Sequence, residues 1–169
     1  MRLFVAFVFT DEFRAELVKA ERALRGLGVT GGFTRPENLH LTLAFIGETN
    51  RVDEVKAALD TLELAPVGLE LEGMGRFGDT IWAGVRPTRE LRAAADAVAK
   101  ALFASGAGFK LEKRDFTPHV TLVRRAKPAD TPPYWPEPVS MTAERVYLLS
   151  SAVENGRRVY TEIHARRLG

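Results

Sequence analysis

The chain has no cysteine and only three histidines among its 169 residues. The lack of cysteine excludes disulfides and thiolate metal sites, and it favours a cytoplasmic protein. Long apolar runs are also missing, since none approaches the roughly 20 residues that span a bilayer. The apolar run that begins at Leu3 ends in acidic residues without a small-residue cleavage site, so we expect a first strand there and no signal peptide.

A large excess of one charge is also absent, because 24 Lys and Arg stand against 22 Asp and Glu, for a net charge of +2. The surface as a whole is therefore not expected to attract nucleic acid. Two local basic clusters flank a short motif described below, and they consist of Lys110, Lys113 and Arg114 before it and Arg124, Arg125 and Lys127 after it. Such clusters can neutralise phosphates, and they also occur as plain solvated surface. Both interpretations stay open.

Two of the three histidines lie in the same four-residue pattern. The first copy is residues 40–43 (HLTL) within RPENLHLTLAFIGE, and the second is residues 119–122 (HVTL) within FTPHVTLVR. Both copies read as strands, in which side chains alternate between faces, so the histidine and threonine of each copy share one face. Leu41, Leu43 and Phe45 are expected on the opposite face, where a helix could bury them. Two such strands facing one cleft would place two imidazoles and two hydroxyls around one small anionic group.

Strand and helix signals cover most of the remaining chain. Strands are predicted at residues 3–9, 69–77, 80–86, 145–153 and 158–165, and helices are predicted after Thr10, near Arg51 and after Thr88. A turn is expected at Asn155-Gly156, a strong hairpin signal. Residues 126–138 hold five of the nine prolines, which predicts an irregular loop.

The chain also resembles itself at an offset of 78 to 79 residues. Gly28 matches Gly106 at 78, the pair at 81–82 matches that at 159–160 at 78, and the two motif histidines match at 79. A repeat of this kind predicts two related lobes about a pseudo-two-fold axis, within a single bilobal domain over residues 1–169. The two motif strands would then face each other across the axis.

The two motifs, the Asn38-Leu39 lead-in and the opening MRLFVAF resemble the two-histidine phosphoesterases with paired HxTx motifs. The closer similarity is to bacterial and archaeal RNA 2′,3′-cyclic phosphodiesterases, also called 2′-5′ RNA ligases, and it covers essentially the full length. The resemblance implies an α+β bilobal fold with antiparallel sheets lining a central groove and helices outside. It also implies a monomer that acts without cofactor or metal on RNA, tRNA-like or other, that ends in a 2′,3′-cyclic phosphate.

The same resemblance implies roles for the motif residues, with His40 as proton donor, His119 as proton acceptor, and Thr42 and Thr121 beside them. The chemistry of these residues fits, because imidazoles titrate near neutral pH and one can serve as base while the other serves as acid. The hydroxyls can donate hydrogen bonds to nonbridging phosphate oxygens. We expect hydrolysis to a 2′-phosphate, and the reverse reaction with a 5′-hydroxyl would form a 2′-5′ linkage.

A phosphate-binding arginine is expected just after the second motif, but two arguments disagree on which one. The resemblance implies Arg124, whereas ideal strand alternation gives Arg125 the same face as His119. A strand that ends or bulges after Val123 would bring Arg124 to the rim of the cleft. We predict Arg124 as the residue that grips phosphate and keep Arg125 as the alternative.

Three other hypotheses remain for the site. A zinc site on the two histidines lacks the third and fourth ligands that zinc needs. A non-catalytic RNA-binding module would use the basic clusters and would not need both histidines. A small cyclic nucleotide could replace RNA as the substrate. The third histidine, His164, has no threonine partner and is interpreted as structural.

Overall fold

The computed structural model describes residues 1–106, 115–130 and 134–169. The basic cluster of Lys110, Lys113 and Arg114 lies outside the described residues. Within the described residues, no helix is both long enough and apolar enough to cross a membrane.

Two antiparallel sheets and three α-helices make up the described part of the chain. The elements in chain order are β1 (Arg2–Phe7), α1 (Asp11–Gly26), β2 (Thr30–Phe33), β3 (Leu41–Glu48), α2 (Val52–Asp60), β4 (Val67–Phe77), β5 (Thr80–Val85), α3 (Arg89–Ala104), β6 (His119–Lys127), β7 (Ser140–Ala143), β8 (Arg145–Glu154) and β9 (Arg157–Arg167). A short 3-10 turn, Pro36–Asn38, precedes β3. The strand orders are β3-β1-β8-β9 and β2-β6-β5-β4-β7, so the predicted α+β class with two antiparallel sheets is confirmed.

Both 16-residue helices, α1 and α3, begin at the threonines predicted to cap them. The hydroxyl oxygen of Thr10 accepts a hydrogen bond from the Phe13 amide, and that of Thr88 accepts one from the Leu91 amide. Each cap satisfies a backbone donor that the first helical turn leaves unpaired. The prediction fails at Leu27, which is the C-cap of α1 and is 53% exposed, because the helix ends before it.

Two short strands, β2 and β7, were not predicted. β2 lies where a glycine-rich turn was expected and pairs with β6 at the sheet edge. Gly31 allows this approach, since it adopts φ +145° and a Cβ there would lie 2.8 Å from the carbonyl oxygens of Arg124 and Arg125. β7 pairs with β4 and follows the proline-rich loop. That loop begins later than predicted, because β6 continues to Lys127.

Each motif strand occupies an equivalent place in its sheet. β3 pairs with β1, which leads into α1, and β6 pairs with β5, which leads into α3. Helix α3 contacts β3 and helix α1 contacts β6, and residues of both sheets belong to one hydrophobic core. This arrangement supports the internal repeat, which stays a prediction. It also brings β3 and β6 into contact, so the two motifs meet.

Candidate active site

Both motif histidines lie where their strands begin, and backbone carbonyls orient both rings. His40 directly precedes β3 and its Nδ1 lies 2.7 Å from the Asn38 carbonyl oxygen. His119 is the first residue of β6 and its Nδ1 lies 2.7 Å from the Thr117 carbonyl oxygen. Because a carbonyl can only accept, Nδ1 carries the proton in each neutral ring. Nε2 is then the atom through which each imidazole can take up or release a proton.

The histidine and threonine of the first motif share a face, as predicted. His40 Nε2 lies 3.0 Å from Thr42 Oγ1, and the hydroxyl donates this hydrogen bond when the imidazole is neutral. In the second motif His119 and Thr121 are half-buried while Val120 and Leu122 are fully buried, so the predicted alternation of faces holds there too.

A β-bulge in β3 changes the face on which Phe45 lies. Thr42 is opposite Ala6 and Ala44 is opposite Val5, so Leu43 is the extra residue. Beyond a bulge the alternation shifts by one, which turns Phe45 to the same face as Thr42. Phe45 is 37% exposed and lines a pocket with His40 and Thr42. The prediction that a helix buries Phe45 is therefore wrong.

A second bulge, in β6, determines where the two arginines lie. Thr121 is opposite Trp82 and Val123 is opposite Ile81, which makes Leu122 the extra residue. The bulge comes before Val123 and not after it, and it gives Arg124 the face of Thr121. Arg124 lines the pocket that contains His40 and Thr42, so the alternation that placed it away from the histidines does not hold.

Arg125 follows with a backbone φ of +53°, which is uncommon for a residue with a Cβ. Its side chain lines a neighbouring cleft together with Arg124, and it is not among the residues that line the pocket of His40. The two arginines that sequence reasoning left as alternatives are thus separated by the local backbone.

The environment of His40 disfavours the protonated imidazolium. Burial lowers the pKa of His40, and the positive charge of Arg124 and the proximity of His119 lower it further, against the opposing effect of the Asn38 carbonyl. The Phe4 ring lies 4.8 Å from the imidazole, and the Tyr160 ring lies 5.1 Å away in an edge-on contact. In the ligand-free protein His40 is therefore neutral at neutral pH.

Aromatic rings also pack around His119. The Phe77 ring lies 5.1 Å from the imidazole at a nearly perpendicular angle, and the Trp82 ring lies 5.7 Å away. The pocket of His40 has a volume of about 380 Å³ and that of His119 about 280 Å³. Thr42 and Phe45 line both pockets, so the two histidines lie in one continuous groove.

The third histidine lies elsewhere. His164 Nε2 is 2.7 Å from the carboxylate of Asp60, which ties β9 to α2. Among residues 1–106, 115–130 and 134–169, no three His, Cys, Asp or Glu side chains are grouped closely enough to hold a metal ion.

Comparison with known proteins adds to this geometry. The model of the 2′-5′ RNA ligase superfamily matches residues 11–155. The chain belongs to this superfamily. The family recognised from the two motifs is therefore confirmed.

Curated relatives of this superfamily member include two RNA 2′,3′-cyclic phosphodiesterases. That of Archaeoglobus fulgidus is 33% identical over 76% of this chain and 76% of its own length. That of Escherichia coli is 31% identical over 96% of this chain and 93% of its own length. The fold matches crystal structures of E. coli LigT in apo form and with 3′-AMP, with TM-scores of 0.84 and 0.83 at 27% and 26% identity, over 99% of this chain and 96% of each of those chains. The prediction of an enzyme of this phosphodiesterase family is confirmed.

The groove of this superfamily member contains residues that sequence reasoning missed. They come from β1, β8 and β9 and are Arg2, Phe4, Ser151, Arg158 and Tyr160. A signal existed for Tyr160, because residues 81–82 match residues 159–160 at the repeat offset, and Trp82 packs on His119 as Tyr160 packs on His40. Nothing in the local pattern of β8 indicated Ser151.

Proposed function

We propose that this protein hydrolyses 2′,3′-cyclic phosphate ends of RNA to 2′-phosphomonoesters, with His119 as proton acceptor and His40 as proton donor. The observation that carries the proposal is the matched orientation of the two imidazoles, each held through Nδ1 by a carbonyl 2.7 Å away. The names of the curated relatives support the reaction. The crystal structure of E. coli LigT with 3′-AMP supports binding of a ribonucleotide phosphate.

The chemical steps follow from this orientation. His119 Nε2 accepts a proton from a water molecule, and the oxygen of that water attacks the phosphorus atom. The bond between phosphorus and the 3′ oxygen breaks, and His40 Nε2 donates a proton to the departing oxygen. Each positioned proton transfer typically contributes about 10²–10⁴ in rate. The phosphate remains on the 2′ oxygen.

Arg124 is the group that would hold the phosphate during these steps. Among the described residues its guanidinium makes no hydrogen bond or ion pair. A guanidinium can bind two phosphate oxygens at once, and the hydroxyls of Thr42 and Thr121 can donate to others. Charge that develops on the phosphorane is thereby stabilised.

Substrate binding also resolves the protonation of His40. In the ligand-free protein, burial and Arg124 keep the pKa of His40 low, which does not suit a proton donor. A bound cyclic phosphate carries a negative charge that offsets Arg124 and favours the imidazolium. His40 therefore takes up its proton as the substrate binds, and the donor is charged only when it is needed.

The same groups would act in reverse during ligation. If a ribose 5′-hydroxyl replaces water, His119 deprotonates it, and its attack on the cyclic phosphate gives a 2′-5′ linkage by the same bond changes. The superfamily's name supports this second activity. Water is the more abundant nucleophile, so hydrolysis is the main reaction that we propose.

The decisive experiment incubates the protein with an oligoribonucleotide that ends in a 2′,3′-cyclic phosphate, in the presence of EDTA. We expect a 2′-phosphate product. The His40→Ala and His119→Ala variants serve as negative controls, and His164→Gln serves as a matched control outside the groove. Absence of hydrolysis, a 3′-phosphate product, or activity that returns only when a metal is added would overturn the proposal.

A further inference from the structure

A larger, strongly basic cleft adjoins the groove between the β2–β6 edge and the β8–β9 hairpin. Its volume is about 920 Å³, against about 380 Å³ for the pocket of His40. Its lining includes five arginines, namely Arg35, Arg124, Arg125, Arg157 and Arg158, and one acidic residue, Asp79. We call it the arginine cleft. It is far larger than one phosphate requires and lies near the upper end of the roughly 300–1,000 Å³ typical of small-ligand sites.

The arginine cleft and the groove are connected. Arg124, Arg158 and Tyr160 line both cavities. A phosphate bound by Arg124 beside His40 therefore lies at the mouth of the cleft, and a chain that leaves this phosphate can enter the cleft without crossing a protein wall.

Two of the arginines are held in place by other contacts and form the cleft wall. Arg35 donates a hydrogen bond to the Arg158 carbonyl oxygen at 2.8 Å and pairs with Glu37 at 3.3 Å. The Arg158 guanidinium donates to Ser151 Oγ at 3.1 Å. These contacts tie the 3-10 turn to β9 and fix the shape of the cleft.

Two other arginines have no such partner. Arg125 and Arg157 are exposed, and within the described ranges neither guanidinium makes a hydrogen bond or an ion pair. The close packing of Gly31 against the Arg125 backbone fixes where that side chain starts. Exposed guanidiniums of this kind can exchange counterions for phosphates.

We infer that the arginine cleft binds the phosphodiester backbone of the RNA strand on the 5′ side of the cyclic end, so that the enzyme prefers oligonucleotides to cyclic mononucleotides. The inference rests on the proposed function of the groove. The terminal ribose continues covalently only through its 5′ oxygen, so the next phosphates lie beyond Arg124, where the cleft is. Phe33 and Tyr160 also line the cleft, and grooves for single-stranded nucleic acid combine cationic and aromatic side chains in this way.

The test compares kcat/KM for adenosine 2′,3′-cyclic monophosphate with kcat/KM for a tetraadenylate that ends in the same cyclic phosphate. We define the length preference as the ratio of the second value to the first, and we expect it to be about 10 or more. Arg157→Gln and Arg125→Gln should lower this ratio, and the double variant should lower it most. Arg92→Gln, an exposed arginine of α3 that does not line the cleft, should keep the wild-type ratio.

Salt dependence separates phosphate contacts from a general structural effect. For single strands the slope of log affinity against log salt is about −0.7 for each phosphate neutralised. Each Gln variant should make the slope for the tetranucleotide shallower by about 0.7. Arg157→Lys keeps the charge and should keep the slope, which also shows that the position tolerates substitution.

The outcomes distinguish this inference from the proposed function. If both substrates are hydrolysed with a length preference near one, or if the Gln variants reduce both values equally, the cleft inference fails and the proposed function stands. If neither substrate is hydrolysed, the proposed function fails. Fluorescence anisotropy with a labelled tetranucleotide that carries a 2′-phosphate still tests the cleft in that case, and binding that the Gln variants leave unchanged would overturn it.

Discussion

Arg124 lies in the same pocket as His40, and its positive charge lowers the pKa of that imidazole. The contact exists only because β6 bulges at Leu122, which turns the arginine toward the groove. One residue is thus placed both to hold a phosphate and to keep the adjacent histidine neutral until a negative charge arrives.

Replacing this arginine should raise the pKa of His40. A positive neighbour disfavours the imidazolium, so Arg124→Gln removes one of the causes that lower the pKa, while Arg124→Lys retains the charge and should leave the pKa low. NMR titration of the His40 ring protons in phosphate-free buffer measures this directly. Arg92→Gln is the control and should produce no shift. An unchanged or lower pKa in Arg124→Gln would show that the arginine does not act on His40.

Removing either imidazole should abolish most turnover without unfolding the protein. His40→Ala and His119→Ala should each lower kcat by about 10²-fold or more, because each takes away one positioned proton transfer. The measurement is single-turnover hydrolysis together with thermal unfolding.

His164→Gln is the matched control for these variants, since it removes an imidazole bonded to Asp60 away from the groove and should keep kcat. Near-full activity in either groove variant, with unchanged thermal unfolding, would disprove the two-histidine mechanism.

Much of the site was predictable because its signals are local or repeated. The helix caps Thr10 and Thr88 are 78 residues apart, and the two motifs are 79 apart, so each half of the chain supports the interpretation of the other. The hairpin at Asn155 and Gly156 adopts φ +52° and +76°, as a tight turn of this type requires.

What could not be predicted depends on pairing between strands that are distant in the chain. The bulges at Leu43 and Leu122 are set by the registers of β3 with β1 and of β6 with β5, and both bulged residues are ordinary leucines. Perfect alternation therefore gave the wrong face for Phe45 and for Arg124. The edge strands β2 and β7 were missed for a related reason, since each is only four residues long and has a partner on one side.

The stability of the folded protein should decrease in acid through His40. Its pKa is lower in the folded protein than the ordinary value of 6.5, so the unfolded chain binds the proton more tightly. The contribution is fully present above pH 6.5 and is lost as the pH falls toward the lowered value. His40→Gln should give a smaller loss in the free energy of unfolding between pH 7.5 and pH 5, measured by urea denaturation. The same loss in wild type and variant would exclude this titration.

The two arginines after the second motif should respond differently to lysine. Arg124 lies in the pocket of His40, and lysine keeps its charge but loses the planar pair of donors that binds two phosphate oxygens. Arg124→Lys should therefore raise KM for a cyclic-phosphate RNA by about 10-fold, which corresponds to roughly 1.4 kcal/mol, with a smaller effect on kcat. Arg125→Lys should change KM little, because Arg125 lines only the neighbouring cleft, where charge suffices. Steady-state kinetics on the same RNA decides, and a larger rise in KM for Arg125→Lys would mean that the phosphate binds to the other arginine.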